Sequence, residues 1–283
     1  MSSSSSGKKS SSAVTVGVRI RPLNGAELSA GMPAVFAGTE DRKQVEELDE
    51  DGDLVKAWPF DHVFGNDCNN AMIFKTCGKT LVESALDGFN TVLFMYGQTS
   101  SGKTFTLFGG GEHQGLVTHA MDYVHKLVTN SVDKEYIIKL TYAELYNEEL
   151  KDLLSETPNE NLKIIEDPML GPIIQNITEK PFSTAEGVKQ LLEEGEQRRH
   201  FGVTNMNAHS SRSHVLVRLG IEARKVATKP ANPLRTSWGK DKPTSISTLN
   251  LVDLAGSERA SKSGTSGESL KEGSFINKSL LTL

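Results

Sequence analysis

Two cysteines, Cys68 and Cys77, are all that the 283 residues contain. Nine residues apart, they suit neither a disulfide framework nor a zinc site, so no metal cluster is expected and a reducing intracellular compartment fits. Long apolar runs are lacking too. None approaches the roughly 18 residues of a helical membrane span, so no such span is expected. No period of 20 to 50 residues repeats, which argues against a solenoid or a propeller. The stretch Met1 to Ser12 is Ser-rich, with two lysines and no apolar segment, and reads as a disordered tail, neither signal peptide nor anchor. A strong overall charge is also absent. The formal net charge is −5, and Glu40 to Lys56, with eight acidic and three basic residues, accounts for all of it. Interrupted by Val45 and Leu48, that stretch is read as a solvated loop without a function of its own. The segment Arg224 to Lys242, with six Lys or Arg against Asp241 and with Pro230, Pro233 and Pro243 in or beside it, reads as a basic surface loop.

What is present is enough apolar material, 37%, to bury one sizeable core, and a single domain is the default at this length. Ala13 to Ile20 is β-rich and stops at Arg21-Pro22, where proline cannot continue a ladder. Thr91 to Tyr96 is a compact apolar run without alternation, which predicts a strand covered on both faces. Further strands are expected at Tyr136 to Tyr142, His214 to Ala223 and Ser245 to Leu254, and a helix at Thr184 to Arg199 behind a Ser183 cap. Strands interleaved with helices predict an α/β fold built on a helix-covered, largely parallel sheet.

Between the Thr91 strand and a helical segment lies Gly97-Gln98-Thr99-Ser100-Ser101-Gly102-Lys103-Thr104, which satisfies G-x-x-x-x-G-K-[ST] in the context that motif needs. Gly97 and Gly102 let the backbone curl so that successive N–H groups face phosphate oxygens, and the next helix adds its positive end. Lys103 can reach the β- and γ-oxygens and Thr104 can ligate Mg²⁺. The alternative is a Gly-rich turn with an exposed lysine. The four fixed positions match by accident in roughly one chain in a hundred of this length, fewer with these flanks.

A phosphate loop does not say which base is bound or what the hydrolysis drives. Asp253-Leu254-Ala255-Gly256 comes after the apolar strand Leu249 to Val252, where such enzymes place an acid for the Mg²⁺ shell and a glycine whose N–H meets the γ-phosphate. Taken alone, it could equally be a strand ending in an Asp-capped turn. Asn207-Ala208-His209-Ser210-Ser211-Arg212-Ser213-His214 has no apolar side chain but Ala208, so it is either a Ser-rich turn or a hydroxyl cluster near metal and phosphate, with Arg212 available to an acid.

GQTSSGKT, NxxSSRSH over Asn207 to His214 and DLAGSE over Asp253 to Glu258 together resemble the kinesin motor domain. So do Arg19-Ile20-Arg21-Pro22, Phe60-Asp61-His62-Val63-Phe64, Tyr142 to Glu148, Leu270-Lys271-Glu272-Gly273 and Ile276-Asn277-Lys278-Ser279-Leu280. The resemblance covers residues 13 to 283, with Asn161 to Glu179 similar to the centromere-associated mitotic kinesins. Leu107 departs from it, standing where the family usually has Met.

The resemblance implies a P-loop NTPase fold with a central, mostly parallel mixed sheet and helices on both faces. It also implies a microtubule-stimulated ATPase that couples hydrolysis through two switch regions to movement along microtubules. Arg19, Arg21, Pro22 and Phe105 would border the adenine of ATP; a GTPase switch is the weaker choice because Asn277-Lys278-Ser279-Leu280 lacks the aspartate that reads guanine. Thr104, Ser211 and Asp253 would hold Mg²⁺ directly or through water. Ser210 would hold the attacking water, Gly256 would sense the γ-phosphate, and Arg212 with Glu258 would form the salt bridge that closes the switches. Arg259, Lys262, Lys271 and Lys278 would face the microtubule.

By the same resemblance the chain stops inside the relay helix, with a sheet strand, covering helices and the neck linker not included. Movement by this stretch alone is therefore doubtful, and the rival expectation is a non-catalytic nucleotide- or microtubule-binding module. The implied setting is the cytoplasm and its cytoskeleton, with tubulin as partner, neither nucleic acid nor membrane, and dimerisation through a coiled coil outside this sequence.

Overall fold

The computed structural model describes residues 14–157, 162–168, 171–200 and 212–258. The chain divides into two compact units, Met1–Asn69 and Asn70–Leu283.

In the first unit, β1 (Gly17–Arg19) pairs in parallel with β5 (His62–Phe64). Between them, α1 (Gly25–Ser29) starts at a capping box: the Asn24 side chain accepts the Glu27 N–H at 2.9 Å, and the Glu27 carboxylate accepts the Asn24 N–H at 2.8 Å. Strands β2 (Phe36–Thr39), β3 (Gln44–Leu48) and β4 (Leu54–Pro59) form an antiparallel sheet. The acidic run expected to be a solvated loop is thus mostly hairpin. Val45 is buried, and the acids at the tip hold the turn together, because Asp49 Oδ1 accepts the N–H groups of both Asp51 and Asp53.

The second unit opens with α2 (Asn70–Ile73), a π-helical turn at Phe74–Gly78 and α3 (Lys79–Leu86). Next come β6 (Thr91–Met95), α4 (Lys103–Leu107), the short β7 (Gly109–Gly110) and β8 (His113–Gln114), and α5 (Leu116–Thr129). Strands β9 (Lys134–Tyr146) and β10 (Glu149–Asp152) are followed by β11 (Lys163–Asp167), β12 (Gly171–Gln175), β13 (Lys180–Pro181) and α6 (Ala185–His200). Two long strands, β14 (His214–Lys225) and β15 (Ser245–Asp253), end the described chain. Helix α6 begins one residue later than expected, because the Thr184 hydroxyl, not that of Ser183, accepts the Gly187 N–H at 3.0 Å.

These strands make one mixed sheet in the order β10-β9-β14-β15-β6, with β13 on β9. Its mixed character fits expectation; the balance does not. Among the described strands of this sheet only β15 and β6 run parallel, while β9–β10, β9–β14, β14–β15 and β9–β13 are antiparallel. The reason is connectivity: a two-residue turn joins β9 to β10, and β14 returns directly as β15 with no helical crossover between them.

One face carries the core. Val215, Val217, Leu219 and Ile221 of β14 and Leu249 and Leu251 of β15 are buried, each contributing about 1.5–3 kcal/mol. The Ser247 hydroxyl donates to Ala85 O at 2.6 Å, which fixes this as the face under α3. The opposite face is more open. Val92 and Phe94 of β6 are 51% and 52% exposed, so the strand expected to be covered on both faces alternates instead. The helices expected over that second face are not among the described residues.

The basic segment after β14 is anchored. Tyr136 N–H donates to Pro233 O at 2.7 Å and Arg235 N–H to Tyr136 O at 2.8 Å. Arg224 and Arg235 both bind the Glu135 carboxylate, and Arg224's hydrogen bond is the larger cause holding that acid below the usual range.

Gly195 sits inside α6 because a Cβ there would lie 2.6 Å from the ring of Tyr142, itself buried and hydrogen-bonded to Glu196. Gly195→Ala is expected to destabilise the protein by about 1–3 kcal/mol despite alanine's better helix propensity, because the ring cannot yield. A urea midpoint at or above wild type would show that it can.

Candidate functional site

The parallel pair β6 and β15 ends at one edge of the sheet, with Met95 opposite Asp253. The loops leaving both strands therefore meet there, although they lie far apart in sequence. Three contacts join them: Leu254 N–H to Met95 O at 3.3 Å, Ser257 N–H to Gly97 O at 3.1 Å, and Thr99 N–H to Glu258 Oε2 at 2.9 Å.

The glycine loop folds as its composition dictates. Gly102 has φ +92° and Ser100 φ +64°, so the chain turns through left-handed conformations before Lys103 opens α4. The Lys103 ammonium is half-buried and donates to Gly97 O at 2.8 Å and Gln98 O at 2.9 Å. Burial lowers its pKa, with Asp253 and Glu258 pulling the other way.

Thr104 donates its hydroxyl to Asp253 Oδ2 at 2.5 Å. Asp253 is 2% exposed, and its Oδ1 is buried with no hydrogen-bond partner among the described residues. Burial raises its pKa, opposed first by the Thr104 hydroxyl. A hydroxyl beside a buried carboxylate oxygen with unused acceptor capacity is the donor chemistry that a hard divalent cation takes, so these two residues fit Mg²⁺.

Glu258 directs its carboxylate at the Thr99 amide and hydroxyl. Burial pushes this acid up, but the two Thr99 bonds, with its own backbone amide and the Lys103 charge, outweigh it and the net shift is downward. A Cβ on Gly256 would meet the Thr99 hydroxyl at 2.5 Å and the Glu258 carboxylate as well, so glycine is what lets the two loops close on each other. Here, then, the partner of Glu258 is the phosphate loop.

Two residues that sequence reasoning left without roles also belong here. Ala255 N–H donates to His214 Nδ1 at 3.1 Å, and the neighbouring Ser213 is buried against Arg199, whose Nη2 donates to its hydroxyl oxygen at 3.0 Å. His214 lay inside the NxxSSRSH motif; Arg199 had no local signal beyond closing a helix. Burial holds His214 below its usual pKa. The unfolded chain takes up its proton near pH 6.5, whereas folded His214 resists, so its contribution to stability is present above about 6.5 and is lost as pH falls below it. An NMR titration of the His214 ring should give a midpoint below 6.5; one at or above that value would contradict an Nδ1 that accepts from Ala255.

Of the remaining expected residues, Arg212 is described and half-buried. Arg19, in the first unit, donates to Cys68 O at 3.1 Å. Arg21 grips Glu27 at 2.7 and 2.6 Å, and that pairing, helped by the Asn24 amide, pulls the carboxyl down to about 2. Phe105, in the second unit, is 38% exposed with His113 edge-on at 5.7 Å. Ser210, Ser211, Arg259, Lys262, Lys271 and Lys278 lie outside the described residues.

A family model, the kinesin motor domain, matches residues 19–283. Kinesin-like protein KIN-7L of Oryza sativa subsp. japonica is 39% identical over 277 residues, covering 95% of this chain and 42% of its own length. Human centromere-associated protein E is 36% identical over 272 residues, 96% of this chain but 10% of its own length. The chain thus spans less than half the length of these curated relatives. Among solved structures, KIF14, seen as a two-heads-bound dimer with AMP-PNP in complex with a microtubule, matches with a TM-score of 0.76 and 30% identity. That match covers 95% of this chain and 75% of the KIF14 chain.

Proposed function

This chain belongs to the kinesin motor-domain family, and from that membership we propose that it binds Mg-ATP at the Gly97–Thr104 loop and hydrolyses it in a cycle coupled to microtubule binding. The observation that carries the reading is the meeting of the two loops. Thr104 touches Asp253, Thr99 touches Glu258, and Gly256 is pressed between them, so a change at the phosphates is felt directly by the segment after β15.

Each residue's role derives from its chemistry. The amides of residues 97–104 cradle phosphate oxygens, and Lys103 exchanges two loop carbonyls for the β- and γ-oxygens. Thr104 and Ser211 would hold Mg²⁺, with Asp253 reaching it through water, and the ion would neutralise charge on the phosphates. An arriving phosphate oxygen competes with the Glu258 carboxylate for the Thr99 amide. Once released, Glu258 can take Arg212 as its partner, closing the switches around a water held by Ser210. Phe105 offers an aromatic face to adenine, and Arg259, Lys262, Lys271 and Lys278 offer positive charge to tubulin. The setting is the cytoplasmic microtubule cytoskeleton, with dimerisation through a coiled coil.

The test is phosphate release from Mg-ATP by the 283-residue chain, with and without microtubules. Hydrolysis that rises with microtubule concentration is expected; no binding of Mg-ATP would overturn the reading.

A further inference from the structure

Asp253, Val215 and Glu144 stand directly opposite one another on β15, β14 and β9, so their side chains share the buried face of the sheet. Glu144 is about 10 Å from Asp253, two strand spacings away. It is 1% exposed, and the guanidinium that answers it, Arg199 at the end of α6, is 2% exposed. Arg199 Nε donates to Glu144 Oε1 at 3.1 Å, Nη2 donates to Ser213 Oγ at 3.0 Å, and Nη1 lies 3.6 Å from Glu196 Oε2. The Tyr142 hydroxyl donates to the other oxygen of Glu196.

A buried ion pair is a poor way to fill a core, since apolar groups of equal volume do it as well or better. What a guanidinium adds is direction: its fork fixes several partners at once. Here it joins β9, α6 and residue 213. Ser213 is followed by His214, whose Nδ1 takes the Ala255 amide. The chain of contacts thus runs from a rigid strand and helix to the loop that follows Asp253 and carries Gly256.

We propose that Arg199 is a positioning residue for hydrolysis, holding Arg212–His214, and through them the Asp253–Gly256 loop, in the geometry the reaction needs. This rests on the hydrolase reading above. Among the described residues Arg199 makes no hydrogen bond or ion pair with a metal ligand, its charge reaching Asp253 only at a distance; it acts through Ser213.

Ser213→Ala removes the acceptor while leaving the Glu144 pair intact, and Arg199→Met with Glu144→Leu removes the whole linkage without stranding a buried charge. Both are compared with the wild-type 283-residue chain by amide hydrogen exchange, melting temperature and steady-state ATP hydrolysis. Expected in both variants are faster exchange at Ala255 and Gly256 and a fall in kcat of about tenfold or more, as misplacement of reacting groups produces. The KM for ATP stays unchanged, and the melting temperature of Ser213→Ala falls by no more than several degrees, the cost of leaving one buried N–H without its acceptor. Wild-type exchange at those amides in both variants overturns the proposal, and so does a loosened loop with wild-type kcat. A wild-type chain that hydrolyses no ATP sinks the hydrolase reading, and the exchange comparison then decides the positioning role by itself.

Discussion

Lys103→Ala is expected to cut ATP turnover by about a hundred- to a thousandfold, the typical cost of removing one preorganised charge-stabilising donor. Lys103 is the cation of the loop itself, half-buried, with two backbone carbonyls as its hydrogen-bond partners. Burial lowers its pKa, so the ammonium gains more from an incoming phosphate than an exposed lysine would. Its present bonds are to carbonyls, which retain other hydrogen-bonding options when the side chain is shortened, so the fold should survive the change. Steady-state phosphate release, read beside the melting temperature, separates the two effects. Turnover close to wild type would remove Lys103 from the mechanism, whereas loss of turnover with a collapsed melting temperature would make its role structural.

Glu144→Ala is expected to cost about 3–5 kcal/mol of stability, because it leaves the Arg199 cation buried with its closest counter-charge gone. That is a large part of the roughly 5–15 kcal/mol that holds a domain folded. Glu196 is a weaker substitute, 29% exposed, 3.6 Å away and already engaged by Tyr142. Replacing both partners by apolar groups, Glu144→Leu with Arg199→Met, should recover most of the loss, since the desolvated charge disappears with its partner. Urea unfolding checks this: a single variant as stable as wild type, or a double variant no better than the single, would mean that the pair is not what holds α6 to β9.

How much was legible in sequence depends on how local the determinant is. The phosphate loop was readable outright, since eight consecutive residues set their own backbone, with Gly102 and Ser100 in left-handed conformations and Lys103 opening a helix. The long strands were placed to within a few residues, because alternating Val, Leu and Ile select one buried face at β14. Strand direction was misjudged. Interleaved strands and helices suggested parallel pairing, yet direction depends on whether a connection crosses the sheet, which composition does not encode. Charge alone reads the acidic stretch as a solvated loop, yet it folds as a hairpin with Asp49 capping its turn; the Pro-rich basic stretch is the loop expected, pinned by Glu135 and Tyr136.

By itself, then, the sequence determined the phosphate loop, the family to which it points and the residues available for chemistry, because each of these resides in contiguous motifs. Only the tertiary structure decided which of them meet. Thr104 and Asp253 are 149 residues apart, Thr99 and Glu258 159 apart, and both pairs form because parallel β6 and β15 deliver their loops to one edge. The Arg199 linkage was likewise invisible in sequence. An arginine ending a helix is ordinarily solvated, and it becomes a buried junction only where packing closes water out and brings Glu144 and Ser213 within hydrogen-bonding reach.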